Sequence, residues 1–120
     1  MNFDWDDVIL SENRVQQALL HLNGCYPDLV WYRISSSGTG LHVVISVLDS
    51  DLNLVPLSYS DDEQFEMRKL LSAPPYEFEC GGRLRADRER SAHGFRIGRI
   101  FSHKNEKISG GWNWWTPNTN

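Results

Sequence analysis

One stretch, Ile34-Ser35-Ser36-Ser37-Gly38-Thr39-Gly40-Leu41-His42-Val43-Val44-Ile45, constrains the fold more than any other. A run of β-formers enters a turn of small residues and leaves as a second β-rich run with a histidine near its start. Gly38 and Gly40, with Ser37 before them, suit a tight turn whose amides can face an anion, because glycine tolerates positive φ. Side chains alternate along the outgoing strand, so Leu41, Val43, Ile45 and Val47 face the core while His42, Val44 and Ser46 face the other side. The plainer reading of these residues is a glycine-containing hairpin with an incidental histidine.

The flanking segments fix the order of elements around this hairpin. Phe3-Asp4-Trp5-Asp6 predicts a short first strand with Phe3 and Trp5 on one face and Asp4 and Asp6 on the other. Ser11 as N-cap and Val15, Ala18, Leu19 and Leu22 at i, i+3, i+4 and i+7 predict a helix over 12–22, stopped by Asn23-Gly24. Residues 29–35 read as the second strand, and the third runs to about Leu48. A loop follows over 49–60, with Pro56 against regular structure. Ser60-Asp61-Asp62-Glu63 is a capping-box pattern for a helix carrying Met67, Leu70 and Leu71, ended by Pro74-Pro75. Residues 76–80 predict a short edge strand and Gly81-Gly82 a turn. The alternation Arg83-Leu84-Arg85-Ala86-Asp87 predicts a further strand. Residues 95–101 and 107–112 predict a hairpin around the polar turn 103–106.

The order strand, helix, strand, strand, helix, strand is the βαββαβ plan of ferredoxin-like and RRM-like folds, an α+β class with two helices on one face of an antiparallel sheet. The 120 residues predict one domain over 1–115 with a C-terminal hairpin, and a frayed tail over 116–120. No apolar run approaches a membrane span, and the acidic start at 2–7 is not a signal peptide, so no membrane partner and a cytoplasmic location are expected. Cys25 and Cys80 lack the paired spacing of a zinc site or a disulfide framework.

Charge is uneven along the chain. Residues 1–66 hold eleven of the sixteen acids and only Arg14 and Arg33 as bases, whereas residues 83–107 hold eight of the twelve bases and three acids. Such a division either sets carboxylates against a phosphate-binding wall or is neutralised across the fold. In the expected topology Asp4, Asp6, His42 and Asp87 all project from the sheet face that the helices leave free. Carboxylates two residues apart on a strand can reach one hard cation such as Mg²⁺. Acidic residues flanked by arginines suit two-metal phosphoryl transfer. Trp112, Trp114 and Trp115 either stack on unpaired bases or close a core or protein interface.

Phe3-Asp4-Trp5-Asp6, then Ser37-Gly38-Thr39-Gly40-Leu41-His42, then Asp87, resemble in order the three motifs of the archaeo-eukaryotic primase superfamily. That superfamily includes primase small subunits, primase-polymerases and the polymerase domains of bacterial end-joining ligases. The resemblance spans about residues 2–90 and implies an RRM-like nucleotidyltransferase core. It implies Asp4, Asp6 and Asp87 as catalytic ligands of Mg²⁺ or Mn²⁺, with Ser37, Gly38, Gly40, His42 and Arg85 around the nucleoside triphosphate. Arg83, Arg96, Arg99 and Lys104 then face a single-stranded or primed DNA template, and the chain is either a minimal member or a core to which a protein partner supplies further structure. A non-catalytic RRM-like module that binds nucleotides or single strands stands as the second reading. A rolling-circle nicking enzyme ranks below both, because positions 40 and 44 are Gly and Val where it needs a second histidine, and neither Tyr59 nor Tyr76 is clearly on a helix.

Overall fold

The computed structural model describes residues 1–35, 38–51, 53–57, 59–79, 81–93, 103–104, 107–108 and 111–117. Among the described residues, seven strands and three helices follow one another as β1 (Asn2–Asp6), α1 (Asn13–Cys25), β2 (Val30–Ile34), β3 (Gly40–Leu48), β4 (Leu54–Pro56), α2 (Asp61–Ser72), α3 (Gly81–Ala92), β5 (His103–Lys104), β6 (Lys107–Ile108) and β7 (Asn113–Trp114). The fold is α+β. Among the described residues, five strands form one antiparallel sheet in the order β1-β3-β2-β7, with β4 also paired to β3. The plan is compatible with a ferredoxin-like arrangement.

β3 is the central strand, and its alternation sorts the two faces. Leu41, Val43 and Ile45 join Phe3 and Trp5 of β1 and the stripe Val15, Ala18, Leu19 and Leu22 of α1 in one buried cluster. Leu71 of α2 and Phe78 complete it, the Phe78 ring stacked 4.2 Å from that of Trp5. Aliphatic residues at helical spacing facing apolar residues at strand spacing make this interface almost wholly apolar; the buried Trp115 indole nitrogen has no partner among the described residues. α2 begins as its sequence demands, with the Ser60 hydroxyl accepting from the Glu63 amide at 3.2 Å. α1 begins differently from the Ser11 expectation. Glu12 is its N-cap, and the Glu12 carboxylate accepts from Ile9 N.

The residues expected as a strand over 83–87 instead lie within α3. Five residues of apparent alternation are a weak signal, and Arg, Leu, Ala and Glu are strong helix formers with no β-branched residue among them. Gly81-Gly82, expected as a turn, opens this helix, and residues 76–79 form turn and coil rather than an edge strand. The expected strand over 95–101 lies outside the described residues. β5 and β6 pair across 103–108, and β7 extends the main sheet beside β2.

The outer edge of β1 is covered by a side chain. Gln64 of α2 accepts from Asn2 N at 3.3 Å and donates to Asn2 O at 2.6 Å, so its carboxamide mimics one residue of a neighbouring strand.

Gly40 sits opposite Asp6 in the β1–β3 register. A Cβ there would overlap the Trp5 carbonyl oxygen and lie 3.3 Å from Asp6 Cα, both backbone atoms that cannot rotate away. Gly40→Ala is therefore expected to lower stability by about 1–3 kcal/mol, read as a lower urea midpoint. An unchanged midpoint would contradict this packing.

Candidate functional site

The antiparallel register brings three polar residues into one row. Asp4 of β1 faces His42 of β3, and His42 faces Arg33 of β2. Asp6 lies two positions further along β1 on the same face. Arg33 Nε donates to His42 Nδ1 at 3.0 Å, and His42 Nε2 lies 3.7 Å from Asp4 Oδ1. A guanidinium only donates, so Nδ1 must be the acceptor and the imidazole proton sits on Nε2, directed at Asp4. The face is less open than the sequence suggests: His42 is 4% exposed and Arg33 8%, with the Arg33 guanidinium 4.3 Å from the centre of the Trp112 ring.

Burial pushes the His42 imidazole below its ordinary value of 6.5; the Asp4 charge opposes this, and the Arg33 charge adds to it. Asp4 is pushed above its ordinary 3.8, first by burial and then by the Asp6 charge, against the pull of His42 and Arg83. These shifts act on stability in opposite directions. The unfolded chain protonates His42 from about pH 6.5 downward while the folded chain resists, so this contribution is full above that pH and is lost as pH falls towards the folded value. The Asp4 contribution is full below 3.8 and is lost as pH rises through its folded value. The urea midpoint of the native chain is expected to fall between about pH 7 and pH 5.5. His42→Gln should remove the histidine part of that fall; an identical profile in the variant would contradict the assignment.

A second set of charges adjoins this row. Arg83 of α3 reaches Asp6 Oδ2 at 3.1 Å, Asp4 Oδ2 at 3.4 Å and Glu79 Oε1 at 3.6 Å. Glu79 also accepts from Arg68 Nε and Nη2, each at 2.8 Å, and Arg68 Nη2 meets Asp87 Oδ2 at 2.8 Å. Asp87 is held on α3 by Arg68 and by Arg90, and is not gathered with Asp4 and Asp6 into one ligand set. That corrects its expected place on the sheet face and follows from the helix that replaces the strand.

Hard oxygen ligands at Asp4 and Asp6 suit Mg²⁺ or Mn²⁺. The point on which they and Glu79 converge is taken by the Arg83 guanidinium, and among the described residues no group of three or more His, Cys, Asp or Glu is placed to hold a metal ion. An ion bound by Asp4 and Asp6 would have to displace the Arg83 guanidinium from this point. Arg83→Met is expected to strengthen Mn²⁺ binding about tenfold, because one cationic competitor at this partly exposed point is worth on the order of 1–2 kcal/mol. Titration calorimetry reads this directly, and an unchanged affinity would mean that the guanidinium and the ion do not share a position.

The glycine turn differs from its expected role. Gly38 has φ 76°, as a positive-φ turn residue, but its amide donates to Ser35 O at 2.9 Å and so is spent within the turn. Gly40 serves the close approach of β1. Ser37, Arg96 and Arg99 lie outside the described residues, as does the side chain of Lys104, whose backbone is in β5. Arg85 lies two residues beyond Arg83, about 200° round the helix, and lines a cleft between α2 and α3 rather than the sheet face.

Three contributors were not read from the sequence as site residues: Arg33, Glu79 and Arg68. A signal existed for Arg33, since Ile34 opposite Leu41 across the turn places Arg33 opposite His42. The tryptophans divide their roles. Trp115 is 2% exposed in the core, Trp112 covers Arg33, and Trp114 tilts against Trp31 with ring centres 6.4 Å apart. No helix among the described residues is long and apolar enough to cross a membrane. No family profile, curated protein or solved structure matches the chain.

Proposed function

We propose that this chain is a nucleotidyltransferase core of the primase-polymerase type, built on an RRM-like βαββ unit, with Asp4, Asp6 and His42 as its site. Its substrates on this reading are a nucleoside triphosphate and a DNA template, and its cofactor is Mg²⁺ or Mn²⁺. The observation that carries the reading is the register of Asp4 against His42, with Asp6 on the same face of β1. Two strands thereby present paired carboxylates beside a neutral N–H donor, the combination that phosphoryl transfer uses.

Asp4 and Asp6 would hold the divalent ion, which when bound neutralises phosphate charge and favours ionisation of the attacking hydroxyl. His42 donates its Nε2 proton to a phosphate oxygen of the nucleotide. Arg33 is a positioning residue: its bond to Nδ1 keeps that proton on Nε2, and burial keeps the ring neutral, so it donates without acting as a stray base. With Asp4 and Asp6 turned to a divalent ion, Arg83 would donate to the triphosphate.

Extension of a labelled primer on a DNA template tests the proposal. Extension that needs Mg²⁺ or Mn²⁺ and is lost in Asp6→Asn supports it; absence of extension with either ion overturns it. One observation favours the second reading, a binding module without synthesis. The guanidinium of Arg83 already neutralises Asp4 and Asp6, and Asp87 is committed elsewhere. That reading expects nucleotide or single-strand binding that is unaffected by chelator.

A further inference from the structure

α2 and α3 enclose an open cleft of about 290 Å³ lined by Phe65, Glu66, Lys69, Leu84, Arg85 and Arg88. Its walls carry three cations and one anion, in a chain whose formal net charge is −4. Among the described residues, Arg14, Arg68, Arg83, Arg88 and Arg90 each hold a carboxylate. Lys69 and Arg85 hold none, although acidic residues outnumber basic ones in the chain. Two unneutralised cations facing one concavity from opposite helices raise a local positive potential that a bound anion relieves.

The shape narrows the ligand. The cations are spread along the cleft, Lys69 on one wall and Arg85 and Arg88 one helical turn apart on the other, which suits successive phosphates better than one compact triphosphate. Arg88 is already engaged, at 2.8 Å from Asp62 and 4.9 Å above the Phe65 ring, so the ligand meets chiefly Lys69 and Arg85. Leu84 adds an apolar strip between them. The volume admits one strand and about one to two nucleotides, not a duplex. Arg85 points away from Arg83, so a strand here does not compete with a nucleotide at Asp4 and His42.

We propose that the α2–α3 cleft binds the phosphodiester backbone of single-stranded nucleic acid, with Lys69 and Arg85 each taking a phosphate oxygen. The choice of nucleic acid over other polyanions rests on the function proposed above; the position of the site does not. The test is fluorescence anisotropy of a labelled oligothymidylate over a salt series, for the native chain and for Lys69→Ala/Arg85→Ala. Both side chains are exposed and, among the described residues, without ion pairs, so the urea midpoint should be unchanged. The double variant is expected to bind about tenfold more weakly at low salt, with a salt slope shallower by about 1.4, two contacts at roughly 0.7 each. Chelator and Asp6→Asn should leave the oligothymidylate affinity unchanged, which separates failure of the catalytic reading from failure of this one. The proposal is overturned if the native chain binds no oligothymidylate, or if the double variant keeps the native affinity and slope. It is also overturned if the two substitutions weaken binding of labelled ATP but not of the oligomer, or if polyglutamate of equal length binds as tightly through the same pair.

Discussion

Arg68→Met is expected to lower the unfolding free energy by about 3–5 kcal/mol, a large share of the roughly 5–15 kcal/mol available to a domain of this size. The Arg68 and Glu79 side chains are each 5% exposed, and Asp87 is 19% exposed. The guanidinium makes two parallel bonds to Glu79 and a third contact to Asp87, all at 2.8 Å. Removing it strands a buried carboxylate on Glu79, with Arg83 at 3.6 Å its one remaining cation among the described residues. The cost reflects that stranded charge more than the worth of the pair, because Arg68 Nη1 is itself buried without a partner. Adding Glu79→Leu to Arg68→Met should therefore restore much of the loss, while Asp87 keeps Arg90 at 2.8 Å. Urea unfolding measures both: a midpoint that drops in the single variant and partly recovers in the double. A single variant within about 1 kcal/mol of native would show that the network is solvated.

If the chain is the nucleotidyltransferase proposed above, His42→Ala is expected to reduce transfer by about 10²–10³-fold, the usual cost of deleting one preorganised donor to developing oxyanion charge. The donor is preorganised from behind. Arg33 is on the neighbouring strand, its Nε–H fixes Nδ1 as acceptor, and Trp112 closes over the guanidinium. Arg33→Met leaves the imidazole in place but releases its tautomer, so it should lower turnover less than His42→Ala while shifting the pH profile. A structural role alone would change stability and leave the pH profile of turnover as in the native chain. Single-turnover incorporation across a pH series distinguishes the two.

Much of this site was legible before the structure, for an identifiable reason. Strand alternation at residues 3–6 and 40–47 is enforced by a core on one face, so the polar partners of Phe3, Trp5, Leu41 and Val43 had to share the other. Arg33 follows from the same hairpin register, but an isolated arginine among β-formers carries no local mark of its partner. The segment 83–87 was misread because alternation over five residues coincides with a helix whose formers continue through Arg90, and only the longer window decides. Glu79, Arg68 and Asp87 meet through the packing of α2 on α3. No local pattern encodes that meeting, and it carries Asp87 away from the strand pair it was expected to join.

Binding of a labelled nucleoside triphosphate with Mn²⁺, with Mg²⁺ and with chelator, to the native chain and to Asp6→Asn, tests whether Asp4 and Asp6 form a metal-dependent nucleotide site. Asp6 is largely exposed and lies at the end of β1, so its amide leaves the fold intact while removing one negative oxygen from the point it shares with Asp4. Binding is expected to require a divalent ion and to be lost in the variant. Binding of equal strength in chelator and in Asp6→Asn would contradict this and leave a sheet face that recognises nucleotides without catalysing their transfer.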